Sequence, residues 1–112
     1  MAETLAFLRR SRRFVLAMPA RLRLPGGPGE PVLVTDLSEH GCRIECWGMA
    51  LAEGDRVILR PQGLEPLYAT IRWIKGARLG LVFSRPLYGP VIEHLARCHP
   101  PYDAASERRL VA

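Results

Sequence analysis

The sequence predicts a small all-β fold: six short antiparallel strands forming a barrel or a sandwich, followed by one C-terminal α-helix. Three observations carry this. Six short runs rich in β-branched and aromatic residues are separated by turns rich in Gly and Pro. Nowhere between them is there room for the helical crossover, about a dozen residues or more, that parallel strands need. Only after Pro86 does the apolar spacing change from alternation to a helical period.

The elements follow in order. Residues 1–13 read as a basic N-terminal arm in which Leu5, Phe7 and Leu8 offer a little apolar surface. Phe14 to Leu24 alternates, with Ala20, Leu22 and Leu24 on one face and Arg21 and Arg23 on the other. Pro19 inside this run implies an edge or a bulge. Pro25 to Glu30 is a break that returns the chain, and Val32, Leu33 and Val34 lead a second strand toward Asp36. Asp36 to Gly41 reads as a connection. Cys42 to Cys46 alternates again, and Trp47 to Leu51 is an irregular apolar link. Arg56 to Arg60 is the fourth strand, Leu67 to Lys75 the longest, and Leu79 to Phe83 returns after the short loop Gly76-Ala77-Arg78. Strands therefore fill residues 14–83. Residues 84–99 read as the helix, with Leu87, Val91, Leu95 and Cys98 at helical spacing and Ile92 beside them. Pro86 suits a first helical turn, and Pro100-Pro101 stops the element. Residues 100–112 are a tail.

Composition narrows the function classes. At 112 residues the chain is one domain with a single modest core, and 48% hydrophobic with 24% charged residues excludes a disordered chain. No apolar run approaches the roughly eighteen residues of a membrane span. The first eight residues are too short for a signal peptide and include Glu3, so a cytoplasmic location is expected. Three cysteines, an odd number, suggest free thiols in a reducing compartment. Cys42 and Cys46 share a strand face about 13 Å apart, too far to ligate one zinc. His94, Cys98 and His99 follow neither a CxxC nor an HxxxH pattern and read as core or surface residues. No metal and no cofactor are expected. Nor is catalysis: there is no nucleophile–base pair, no paired carboxylates and no metal constellation.

Two stretches carry chemistry. In Asp36-Leu37-Ser38-Glu39-His40-Gly41, Asp36 offers two acceptor oxygens and Ser38 a hydroxyl that donates or accepts. Gly41 permits positive φ or a close backbone approach. Such a set suits a planar, donor-rich base such as guanine. It also suits an ordinary turn, because Asp and Ser bond their own backbone two positions on. The second stretch is Arg9-Arg10-Ser11-Arg12-Arg13. Arginine forks bind phosphate bidentately, stack on aromatic planes and stay charged. The net charge of +5 belongs entirely to residues 1–25, the remainder being balanced. That places one localised anion site at the N-terminal side.

The pair Arg9 and Arg13, a strand, then Asp36, Ser38 and Gly41 in the pattern DxSxxG resembles the PilZ domain family, the bacterial receptor module for cyclic di-GMP. Arg72 to Phe83 is similar to the hairpin that closes PilZ barrels, and the resemblance runs from about Arg9 to Cys98. It implies a six-stranded antiparallel β-barrel with a C-terminal helix. It further implies that Arg9 and Arg13 clamp phosphate and stack on guanine, that Asp36 and Ser38 bond the guanine edge, and that Gly41 shapes the loop. Arg10, Arg12 and Arg43 are additional candidate contacts. His40 occupies a free position of the motif, and Trp73 is either core or a stacking partner for a base.

The expected function is a cyclic di-GMP receptor whose arm orders on binding and presents a new face to a protein partner. A PilZ-like adaptor that binds protein but no nucleotide is the alternative. A basic barrel that binds nucleic acid is a third reading, weakened by the scattered aromatics, only 7% of residues.

Overall fold

A computed structural model describes residues 12–101. Its elements are β1 (Phe14–Arg23), β2 (Glu30–Leu37), β3 (Gly41–Glu45), β4 (Arg56–Pro61), β5 (Leu67–Lys75), β6 (Arg78–Phe83) and α1 (Gly89–Cys98). Every pairing is antiparallel, and the strands close in the order β1-β2-β3-β6-β5-β4. The fold is thus a barrel and not a sandwich, with no free sheet edge.

Alternation fills the interior. Leu16, Met18, Ala20 and Leu22 of β1 meet Val32, Val34 and Leu37 of β2, Ile44 of β3, Leu59 of β4, Ile71 of β5 and Leu81 of β6. Each large aliphatic side chain removed from water contributes about 1.5–3 kcal/mol. Pro19 is tolerated because the pairing of β1 with β4 begins only at Ala20, which leaves the proline on an unpaired side of the ladder. The β5–β6 hairpin is tighter than Gly76-Ala77-Arg78 suggested. Lys75 pairs with Arg78, leaving two loop residues. Positive φ at Gly76 and none at Ala77 fit a turn with glycine first, whose twist matches the flanking strands.

Two bulges matter for the site. Leu16 and Ala17 of β1 lie opposite the single residue Thr35, and Thr35 is in turn the extra residue of β2 against β3. Strict alternation from Val34 would send Asp36 inward and Leu37 outward. The extra residue reverses that, burying Leu37 completely and leaving Asp36 on the outer face.

The helix begins later than the apolar spacing implied. Residues 84–88 are not helical, and the Leu87 N–H is held by the Glu39 carbonyl at 2.8 Å. Tyr88 caps the helix in an extended conformation, so the proline of the first turn is Pro90 and not Pro86. Ile92 and Leu95 are buried, with Val91 and Leu87 half-buried against the core. Cys98 is exposed and does not join that face. The end of α1 is pinned to the β1 bulge, where the Ala17 N–H donates to the His99 carbonyl at 3.0 Å.

Candidate functional site

The bulged β2 places Asp36 in a lateral row across five neighbouring strands, with four gaps between them. Val15 of β1 pairs with Asp36, Asp36 with Arg43 of β3, Arg43 with Gly80 of β6, and Gly80 with Trp73 of β5. At about 4.8 Å per strand gap the row is about 19 Å long, enough for an extended ligand. Val15 and Arg43 are exposed, while Asp36 and Trp73 are half-buried.

Arg13 reaches this row from just before β1. It lies two positions from Val15, so it is a diagonal neighbour of Asp36, within reach of a long side chain. Its Nη1 donates to Asp36 Oδ1 at 3.2 Å, with the Arg13 side chain 55% exposed and that of Asp36 14%. The two motifs, twenty-three positions apart, therefore meet in one ion pair. Arg12 takes the other direction and lies over the Phe14 ring, 5.0 Å from its centroid. It does not face Asp36 here. Arg9 and Arg10 lie outside the described residues.

Below Asp36 the chain turns sharply. Asp36 and Leu37 finish β2 and Gly41 opens β3, so the connection is only Ser38 to His40. Ser38 is buried; its N–H donates to the Gly41 carbonyl at 2.9 Å and its hydroxyl to the same oxygen at 3.3 Å. The Phe83 N–H donates to the His40 carbonyl at 2.8 Å, tying the turn to the end of β6. The His40 ring lies 3.8 Å from the Glu39 carboxylate. Gly41 is required by packing: a Cβ there would collide with the Leu81 carbonyl of β6. Its φ is not positive, so conformational freedom is not the reason.

Trp73 is neither a core residue nor free. Its indole lies against Gly80, where any Cβ would overlap the ring, and Lys75 Nζ sits 6.0 Å from the ring centroid. The absence of a side chain at Gly80 thus lets a flat aromatic lie on the outer wall beside Arg43. Periodicity did not reveal this, because the bulge at Arg72 shifts the register of β5 against β6.

Beneath the row, Cys42 is fully enclosed. Burial raises its thiol pKa far above the ordinary value, and the Asp36 carboxylate adds to this, against a smaller opposing effect from Arg13. The thiol stays protonated and is not a nucleophile. Burial, helped by Glu30, raises Cys46 likewise. Among the described residues no group of three or more metal-ligating side chains occurs, and no helix is long and apolar enough to cross a membrane.

The wall is that of a small barrel carrying an arginine–aspartate pair, a glycine-tightened turn and a half-buried aromatic on its outer face. The family model for the PilZ domain matches residues 7–98, and the chain belongs to that family. Among solved structures it is similar to the PilZ domain of CeSA from a cellulose-synthesizing bacterium, at 21% identity and a TM-score of 0.58 over 78% of this chain and 92% of that one. It is similar to the Bacillus subtilis inhibitor of motility MotI/DgrA, at 16% identity and a TM-score of 0.60 over 80% of this chain and 49% of that one. The PilZ domain of Escherichia coli YcgR, solved with c-di-GMP, aligns at 18% identity and a TM-score of 0.56 over 80% of this chain and 87% of that one. At these identities the likeness is one of fold. No curated protein matches the chain by sequence.

Proposed function

We propose that this protein is a cyclic di-GMP receptor that works in the cytoplasm, without turnover, by presenting an altered surface to a protein partner. The observation that carries the reading is the Arg13–Asp36 contact, which joins both motifs on one outer wall. Membership of the PilZ family and the c-di-GMP held by the similar YcgR domain support it.

Each residue has a role in this reading. Arg13, with Arg9 from the arm, neutralises the ligand phosphates and stacks on a guanine. Asp36 accepts from the guanine N–H edge, an arrangement a carboxylate on the outer face satisfies without deep burial. Ser38 acts mainly by fixing the turn, since both its N–H and its hydroxyl already serve the Gly41 carbonyl. Gly41 allows β3 to approach β6, which holds Asp36 and Arg43 in register. Arg43 and Trp73 extend the site along the row and accommodate the second base, with Arg10 and Arg12 adding positive field.

Binding separates Arg13 from Asp36 or lets them share the ligand. Either change moves the chain that leads into residues 1–13, the arm, and so alters what the barrel (14–83), the segment 84–99 that contains α1, and the tail (100–112) present beside it. The arm is the switch and the barrel its platform.

Titration of isotope-labelled protein with cyclic di-GMP tests this. The amides of Asp36, Arg43 and Gly80 and the Trp73 indole N–H should shift together, and those of residues 5–14 should change order. Unchanged order in 5–14 would remove the switch, and shifts confined to β4 would remove the site.

A further inference from the structure

The outer face of β4, across the barrel from Arg43, has a second, unrelated chemistry. Along β4, Val57 and Leu59 point inward, so Arg56, Ile58 and Arg60 share the outer face. Arg21 of β1 stands directly opposite Arg60, Arg23 opposite Ile58, and Tyr68 of β5 opposite Ile58 from the other side. Tyr68 is 61% exposed, whereas Ile58 is a covered floor at 7%. Arg21 donates to the Gly29 carbonyl at 2.8 Å. Among the described residues the ion pairs are Arg13–Asp36 and His40–Glu39, so Arg21, Arg23, Arg56 and Arg60 have no carboxylate partner there.

Like charges placed directly across a strand pair destabilise a sheet. Part of the Arg21 fork is satisfied by the Gly29 carbonyl, but no carboxylate among the described residues answers the Arg21–Arg60 pair. A negative counterpart on a partner relieves that repulsion. Clefts of about 1010 Å³ and 530 Å³ flank the seam, the first lined by Arg56, Ile58, Tyr68 and Arg85 with the single acid Glu65, the second by Arg21, Arg60 and Leu64. Arginine and tyrosine around a covered apolar centre are the residue types that dominate protein interfaces.

We propose that the outer face of β4 docks an acidic, extended segment of a partner protein, with two carboxylates four residues apart and an apolar side chain midway. Arg56 and Arg60 are separated by about 13 Å along the strand, the span of four residues in an extended segment laid beside it. The carboxylates meet the arginine forks of Arg56 and of the Arg21–Arg60 pair, and the apolar residue rests on Tyr68 beside Ile58. The barrel has no open edge, so the segment is recognised through side chains and not by strand addition. A nucleic acid fits this face less well, because its centre is apolar and offers one aromatic ring where successive bases need several. Because this face is centred on β4, the strand farthest from β3 around the barrel, occupancy of it and of the surface around Asp36 and Arg43 at once is sterically open.

The test uses the full chain without nucleotide, so its outcome is independent of the receptor reading. Labelled protein is titrated at low salt with a capped peptide that carries two glutamates four apart and a leucine midway. Saturable amide shifts at residues 56–60, Arg21 and Tyr68 are expected. Arg60→Glu and Arg56→Glu should each weaken binding about tenfold while the rest of the spectrum is unchanged. The double variant should instead bind the peptide with lysines in place of the glutamates. The proposal is overturned by an absence of saturable shifts, by shifts centred on Arg43 and Trp73, or by a short DNA duplex binding the same residues more tightly than the peptide.

Discussion

Asp36 is the residue on which the site turns, and its contact with Arg13 is not there for stability. More than half of the Arg13 side chain is exposed, and such pairs contribute about 0–1 kcal/mol. Asp36→Ala or Arg13→Ala should therefore leave the unfolding midpoint within a few degrees of the parent. In the proposed complex each loses a charge-assisted hydrogen bond of about 1.5–3 kcal/mol, so cyclic di-GMP affinity should fall about ten- to a hundredfold by calorimetry. Cys42 gives a prediction in pH. Its pKa is raised above the ordinary 9.0 in the folded protein, so the fold keeps a proton that the unfolded chain loses. The stability it contributes is complete below pH 9.0 and is lost as pH rises above that value. Denaturant titrations from pH 8 to 10 should show a steeper loss for the parent than for Cys42→Ala. The residue types of the site were legible in the sequence, since DxSxxG and the arginines stand out. Their division of labour was not: Ser38 bonds the Gly41 carbonyl, and Arg12 lies over Phe14, contacts that depend on coordinates and not on spacing.

Strands are where the sequence was read most easily and the bulges where it was read least. Six alternating runs became β1 to β6 with bounds shifted by only one to three residues, because interior and exterior faces leave a period of two in the chain. An added residue such as Thr35 leaves no mark in composition, yet it decides that Asp36 faces outward. The helix start was misplaced for a comparable reason. Pro86 and Leu87 look helical by spacing, but the Leu87 N–H is claimed by Glu39 from the β2–β3 turn. Gly41 follows from strand packing. Gly41→Ala drives a Cβ into the Leu81 carbonyl, a backbone atom that cannot step aside, so β3 must part from β6. The expected cost is about 1–3 kcal/mol in denaturant unfolding, with affinity reduced as well because Asp36 and Arg43 lose register. Leu95→Ala is the contrasting case. It should cost about 2–5 kcal/mol by emptying the space under α1, while the fraction that remains folded binds nucleotide with parent affinity.

Across the whole molecule, the closed barrel separates two walls of different chemistry. One carries the Val15–Trp73 row with the Arg13–Asp36 pair; the other carries arginines around Tyr68 that have no carboxylate partner among the described residues. The charge of +5 confined to residues 1–25 pointed to one anion site, yet the fold divides that segment: Arg13 meets Asp36 on the first wall, while Arg21 and Arg23 pair with β4 on the second. Balance in sequence is not balance on a surface: β1 and β4 bring arginines from positions 21 and 60 together, and neither has a carboxylate partner among the described residues. This arrangement also separates site chemistry from bulk charge. Arg108→Ala removes the same charge as Arg13→Ala but from the tail, and it should leave cyclic di-GMP affinity unchanged.

The measurement that bears most directly on the central claim is a calorimetric titration of the purified chain with cyclic di-GMP, with GTP and a short single-stranded oligonucleotide as comparators. The account predicts saturable binding of the cyclic dinucleotide alone, at micromolar concentration or below, and its loss in Asp36→Ala. No heat from the dinucleotide, together with salt-sensitive binding of the oligonucleotide, would contradict it.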